Sequence, residues 1–231
     1  MKRAVKLSVI IPTREFEPNL SSLVESIESN LKGSSISFEI LVSYPEGCAL
    51  SSELKGLSAQ FLACPRIGRS YQLNYAAETA KGDWLLFLHA DSVVDSSCLN
   101  KLVDVIESPE TSRDSLYYFW LRFNSDGPQM CALNAALANL RSMYLRLPFG
   151  DQGFLLLRDS FFKIGAFPSK YASGEDHAFV QKAKSENVSI KPIGAWIKTS
   201  ARKYKKLGWI QVTLKHLYLT AKQEVLREGL R

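Results

Sequence analysis

Nowhere does this chain hold the roughly 18 to 20 consecutive apolar residues that a membrane-spanning helix requires. A membrane-spanning helix is therefore not expected. The opening Met1-Lys2-Arg3 runs into a strand-like segment with no signal-cleavage pattern, so the expectation is an untargeted, cytoplasmic chain. Cysteine is sparse: Cys48, Cys64, Cys98 and Cys131 stand far apart, with no Cys-x-x-Cys pair and no histidine cluster beside them. That argues against a structural zinc site and predicts buried free thiols. No glycine-rich loop with a following lysine comes after the first apolar segment, where a nucleotidyltransferase would commonly hold phosphate. Internal repeats, low-complexity linkers and composition breaks are missing as well.

What is present is a globular pattern. The chain has 231 residues, 46% of them hydrophobic, enough for a buried core. Lys6 to Pro12 is a short β-branched run, read as a first buried strand. Leu20, Leu23, Val24, Ile27 and Leu31 then recur at helical spacing, with Gly33 placed to stop the helix. Strands are expected at Phe38 to Tyr44 and Ala59 to Cys64, with a helix over Arg69 to Lys81. Asp83-Trp-Leu-Leu-Phe-Leu-His89 is apolar on both faces, as in a central parallel strand covered on each side. Alternating strands and helices imply right-handed βαβ crossovers and a mainly parallel α/β sheet with helices on both faces. Ligands in such sheets bind beyond the carboxyl ends of the strands. Later come an aromatic strand (Leu116 to Phe123), a long helix (Pro128 to Leu145), a strand (Phe154 to Leu157) and a helix from Glu175. The expected organisation is one domain over residues 1–200 with a helical appendage over 201–231.

Several polar residues sit where chemistry would be placed. Asp91 follows the buried strand that ends in His89, and it either caps a turn or binds Mg²⁺ or Mn²⁺, which takes one or two carboxylates alongside substrate phosphates. Asp176, in Ser173-Gly-Glu-Asp176, either closes a capping box at a helix start or is a general base, with Glu175 beside it. His177 either serves as that base or is a surface histidine. Arg66, Arg69, Arg202 and Lys203 are candidate diphosphate anchors or solvated charges. Gly150-Asp151-Gln152-Gly153 is a polar turn opening a strand. Tyr117 to Trp120 is core or a sugar-stacking surface.

The order of these motifs resembles the family 2 glycosyltransferases of GT-A fold. Val9-Ile-Ile-Pro-Thr13 looks like the family's opening strand. Arg66-Ile-Gly-Arg-Ser-Tyr-Gln-Leu-Asn74 and Ala80-Lys-Gly-Asp-Trp-Leu-Leu-Phe-Leu-His-Ala-Asp91 resemble its middle. The subgroup linked to arsenosugar biosynthesis is most similar, through Arg-x-Gly-Arg, His-Ala-Asp, Gly-Asp-Gln-Gly, Glu-Asp and Thr199-Ser-Ala-Arg202. The resemblance implies a nucleotide-sugar donor held by Thr13, Glu15, Arg66, Arg69, Asn74, Asp91 and Arg202, with Asp91 on the metal. It implies Asp176 as catalytic base of an inverting transfer, and Asp151, Gln152 and Glu175 on the acceptor side. His89 stands where the family's Asp-x-Asp element has its first carboxylate, and Ser43 stands where an aspartate usually follows the second strand.

Two other functions compete with a transferase: a nucleotidyltransferase releasing pyrophosphate, and a degenerate scaffold that only binds. The net charge of +6 bears on the second, because Lys198 to Arg231 carries nine Lys and Arg against Glu224 and Glu228. Leu207, Ile210, Leu214, Leu217, Ala221 and Val225 recur there at helical spacing. Such a helix either packs on the domain or makes peripheral contact with the inner face of a membrane. Nucleic acid is not an expected partner.

Overall fold

A computed structural model of the chain describes residues 6–14, 17–48, 56–169, 174–214 and 218. Glu15, Ser173, Leu217, Ala221 and Val225 lie outside these residues. The strands are β1 (Leu7–Pro12), β2 (Phe38–Pro45), β3 (Gln60–Cys64), β4 (Trp84–Phe87), β5 (Ser92–Val93), β6 (Ser115–Phe123), β7 (Phe154–Leu157) and β8 (Ser189–Thr199). The helices are α1 (Leu20–Leu31), α2 (Arg69–Thr79), α3 (Ser96–Glu107), α4 (Cys131–Leu145), α5 (Arg158–Ile164), α6 (Glu175–Ser185) and α7 (Arg202–Leu207).

All eight strands form one sheet in the order β3-β2-β1-β4-β7-β6-β8-β5. Pairing is parallel from β3 through β4. β7 then runs antiparallel to both β4 and β6, while β8 lies parallel to β6 and antiparallel to β5. The parallel half is the part built from βαβ units; beyond β4 the strands arrive by other connections.

Period-two alternation divides the core into two layers. Leu7, Val9 and Ile11 of β1 and Trp84 and Leu86 of β4 pack with the apolar stripes of α1 and α3. Ile10, Leu85 and Phe87 pack on the opposite face with α2, α5 and α6. Covering both faces is why β1 and β4 read as unbroken apolar runs. α3 is capped by Asp95, whose Oδ1 accepts from the Cys98 N–H at 2.9 Å. α3, α5, β5 and β8 add to the elements expected from the sequence. β8 is interrupted: Tyr118 and Trp120 of β6 pair with Pro192 and Trp196, so β8 bulges around Gly194. Gly194 has φ +84°, which favours glycine.

A third, small cluster joins α4 to the C-terminal side, where Cys131 packs with Ala201, Tyr204 and Val212. Cys48 is exposed, and the other three cysteines are free and buried. Among the described residues no helix is long and apolar enough to cross a membrane.

Candidate active site

Two strand pairings assemble the site beyond the carboxyl end of β4. Ser92 pairs with Thr199, which brings Asp91 to the stretch Thr199–Arg202. Phe87 pairs with Phe154, which lays the 3₁₀ turn Gly150–Gln152 across His89. The first turn of α6 delivers Glu175 and Asp176 to the same place.

Gly174 is the N-cap residue of α6, and Asp176 stands in its first turn. The Asp176 carboxylate meets the His177 N–H of that turn and also accepts from the Gly150 N–H at 2.7 Å. Only glycine fits at position 150, because a Cβ there would stand 2.9 Å from Asp176 Oδ2 and 3.1 Å from His89 Nε2. Burial works to raise the Asp176 pKa, but Arg69, the Gly150 and His177 N–H groups and His89 outweigh it and hold it low. Arg69 also pairs with buried Glu175, Nε to Oε1 at 3.4 Å. Burial pushes the Glu175 carboxyl up, with Arg69 opposing and Asp176 reinforcing.

His89 links this cluster to the next carboxylate. Arg69 meets its Nε2, and its Nδ1 lies 3.1 Å from Asp151 Oδ1. A guanidinium can only donate, so Nε2 accepts and Nδ1–H donates to Asp151. Burial first, then Arg69, keeps the His89 pKa well below its ordinary value against the pull of Asp176. The ring is neutral at neutral pH and relays hydrogen bonds between an arginine and a carboxylate.

Asp91 collects negative charge. Burial, then Asp151 and Glu17, push its carboxyl up to about 6, while its own backbone and Arg202 pull the other way. Arg202 pairs with Glu17 and donates from Nε to Ser200 Oγ at 2.9 Å. Asp126 secures that stretch by accepting from the Ala201 N–H at 2.8 Å and from the Ser200 hydroxyl. Among the described residues no three His, Cys, Asp or Glu side chains are grouped as metal ligands. A donor set of Asp91 with Asp151 still fits Mg²⁺ or Mn²⁺, which fill their remaining positions with water and phosphate oxygens.

Other expected site residues have structural partners. Asn74 clasps the Phe167 backbone, donating to its carbonyl at 2.8 Å and accepting from its N–H at 3.0 Å. Gln152 is fully buried; its Oε1 accepts from Ser142 and the Phe149 N–H, and its Nε2 donates to the Phe119 carbonyl. Arg66 is exposed over the Tyr71 ring. Thr13 is buried at the end of β1. The histidine expected at the surface is buried: Arg141 donates to His177 Nδ1 at 2.7 Å. Tyr117, Tyr118 and Phe119 are core.

Sequence reasoning missed Gln72 and Arg141. Gln72 Nε2 bridges the ends of β1 and β2, donating to the carbonyls of Thr13 at 2.6 Å and Ser43 at 2.8 Å. Arg141 stacks over Phe149 and bonds the Leu147 carbonyl, holding the chain that leads into Gly150. Both lie inside ordinary helical patterns, so no local signal marks them.

A cavity of about 300 Å³ opens beside the carboxylates. Asp151 and Asp176 form its polar side; Leu121, Phe123, Leu137, Phe149 and Tyr204 line much of the rest. The space over His89, Arg69 and Asp176 itself measures only about 10 Å³, room for one water at most. A larger cavity of about 530 Å³ lies at the other end of the sheet, around Lys6, Trp84 and Arg113. It contains none of these carboxylates and sits at the amino end of β4, so the smaller cavity is the candidate site.

Three solved structures share this architecture. S. aureus TarS superposes with TM-score 0.63 at 18% identity, over 85% of this chain and 37% of that one. TarS residues 1–349 in complex with UDP-GlcNAc gives 0.63 at 19%, over 85% and 58%. The Pyrobaculum calidifontis mannosyltransferase PcManGT, in complex with GDP-Man and Mn²⁺, gives 0.63 at 14%, over 85% and 57%. At such identities the likeness is one of fold, GT-A, and the chain spans well under two thirds of each of these proteins. No curated protein matches the sequence. Residues 49–164, half of the chain, match the family described as glycosyl transferase family 2. With that match, the GT-A sheet and carboxylates gathered at the strand ends, the chain belongs to glycosyl transferase family 2.

Proposed function

We propose that the protein transfers a sugar from a nucleotide-diphosphate donor to an acceptor hydroxyl with inversion. The observation that carries this reading is the placement of Asp176 on the wall of the 300 Å³ cavity together with Asp151, the carboxylate that His89 Nδ1 meets. The acceptor oxygen attacks the anomeric carbon as the bond from that carbon to the diphosphate breaks. The proton passes to Asp176, and the diphosphate leaves with the electron pair. A lowered pKa keeps Asp176 ionised and able to accept at neutral pH. Gly150 and Arg69 fix its orientation. By their place in the motif order, Thr13 and Glu15 would serve the nucleoside, and Asp91 and Arg202 the diphosphate. Asp91 and Asp151 would hold a divalent cation, which when bound would neutralise charge on the leaving group. Asp151 stands in for the carboxylate that His89 replaces in the Asp-x-Asp element. Membership of the arsenosugar-linked subgroup belongs to the same reading and rests on its shared motifs.

A thermal-shift screen of nucleoside diphosphates and nucleotide sugars, with and without Mn²⁺, tests the reading, since a ligand that binds only the folded state raises the melting temperature. A Mn²⁺-dependent shift is expected. A shift with no nucleotide would remove the donor site and leave a binding scaffold.

A further inference from the structure

Helix α4 faces the wrong way for a surface helix. Its polar side chains turn inward: Asn139 pairs with the Leu121 backbone, Ser142 with Gln152, Arg141 with His177, and Asn134 with Thr213. Its solvent side is apolar from end to end. Leu133, Leu137, Leu140 and Tyr144 are 47%, 53%, 46% and 73% exposed at three- and four-residue spacing, and Met143 and Leu145 extend the stripe. No charged side chain stands among the exposed residues of α4. Leaving such a stripe in water forfeits the burial that normally orients a helix.

The neighbouring C-terminal segment continues the surface. Leu207, Ile210 and Leu214 are exposed, and Val212 and the Asn134–Thr213 bond fix residues 209–214 against α4. Exposed cations stand at both ends of the stripe. Lys203, Lys205 and Lys206 are exposed on α7, which packs through Tyr204 beside Cys131 at the start of α4. At the other end Arg146 is exposed, and Lys184 donates to the Leu145 carbonyl at 2.8 Å. Large apolar patches mark interaction sites. An apolar stripe with exposed cations at both ends is complementary to an anionic lipid surface, where apolar side chains sink into the headgroup boundary and lysines meet lipid phosphates.

We propose that the exposed side of α4, with residues 207–214, docks on an anionic lipid bilayer. Leu137 and Thr213 also line the cavity that holds Asp151 and Asp176, so docking sets the mouth of that cavity at the bilayer.

Co-sedimentation of the full chain with vesicles tests this. Vesicles of phosphatidylcholine carrying about 30% phosphatidylglycerol should bind the chain roughly tenfold or more tightly than phosphatidylcholine alone. The double variant Leu133→Gln/Leu140→Gln, clear of the cavity lining, should lose roughly tenfold in vesicle binding. Its nucleotide-induced thermal shift should stay unchanged, which separates this surface from the donor reading. Tyr144→Gln, at the far end of the stripe, provides an independent variant with the same expected direction. No sedimentation with either vesicle, equal binding to neutral vesicles, or undiminished binding by both variants would each overturn the proposal. So would a stable dimer in light scattering that binds no lipid, since a second copy would then cover the stripe.

Discussion

At the scale of single residues, the site depends on groups that hold one another in place. In the proposed transfer, Asp176 can accept a proton only while Gly150 and Arg69 hold it in place as an anion. Asp176→Asn should lower turnover by about 10²- to 10⁴-fold, the usual contribution of a positioned base. Nucleotide-induced stabilisation should survive, and a variant with full turnover would place the base elsewhere. Asp91→Asn should abolish the part of the nucleotide thermal shift that depends on Mn²⁺ and leave the metal-independent part. If chelation of the cation changes nothing in the native protein, Asp91 has no metal role. Gly150→Ala forces a methyl against Asp176 and His89, and such overpacking costs about 1–3 kcal/mol. Urea denaturation reads that loss directly.

At the scale of elements, the stretch Thr199–Arg202 is held by one carboxylate on a neighbouring turn. Burial alone would raise the pKa of Asp126, but the Ser200 hydroxyl, the Ala201 N–H, its own backbone and Arg202 bring it below the ordinary carboxylate range. A depressed carboxylate pKa stabilises the fold above the unfolded-state value near 4. That contribution is lost as pH falls through the folded value. Asp126→Asn should therefore lower the stability by about 1 kcal/mol at pH 7, the worth of one hydrogen bond, and the gap should narrow as the pH is brought below the unfolded-state value. An undiminished gap in acid would mean that the charge is not what secures the stretch. The β5–β8 pair has a similar part: two residues of strand suffice to bring Asp91 and Arg202 into one site.

At the scale of the whole molecule, Asp91, Asp151, Glu175 and Asp176 gather in the strand-end site, whereas the exposed lysines of α7 stand at one end of the apolar side of α4. Binding to anionic vesicles should then weaken steeply as NaCl rises from about 0.05 to 0.5 M, because the Debye length shrinks from more than 10 Å to well below it. Nucleotide stabilisation, which draws on partly buried groups, should change much less over the same range. Equal salt sensitivity of the two would show that they share one surface.

The strands, helices and order of motifs were legible because they depend on local periodicity. β1 and β4 read as buried through their unbroken apolar runs, and α1 through its three- and four-residue spacing. The resemblance in motif order pointed to the family that residues 49–164 match. Contacts between distant segments were not legible. Asn74 and Gln152 carry the same amide whether they hold a ligand or clasp a backbone carbonyl, and only folding assigned both to backbone. His177 looked exposed, yet it is buried and bonded to Arg141 of α4. The exposed stripe of α4 shows the limit most plainly. Periodicity establishes that a helix has an apolar face, but tertiary packing decides which face meets the core, and here Asn139, Ser142 and Arg141 took that place through hydrogen bonds.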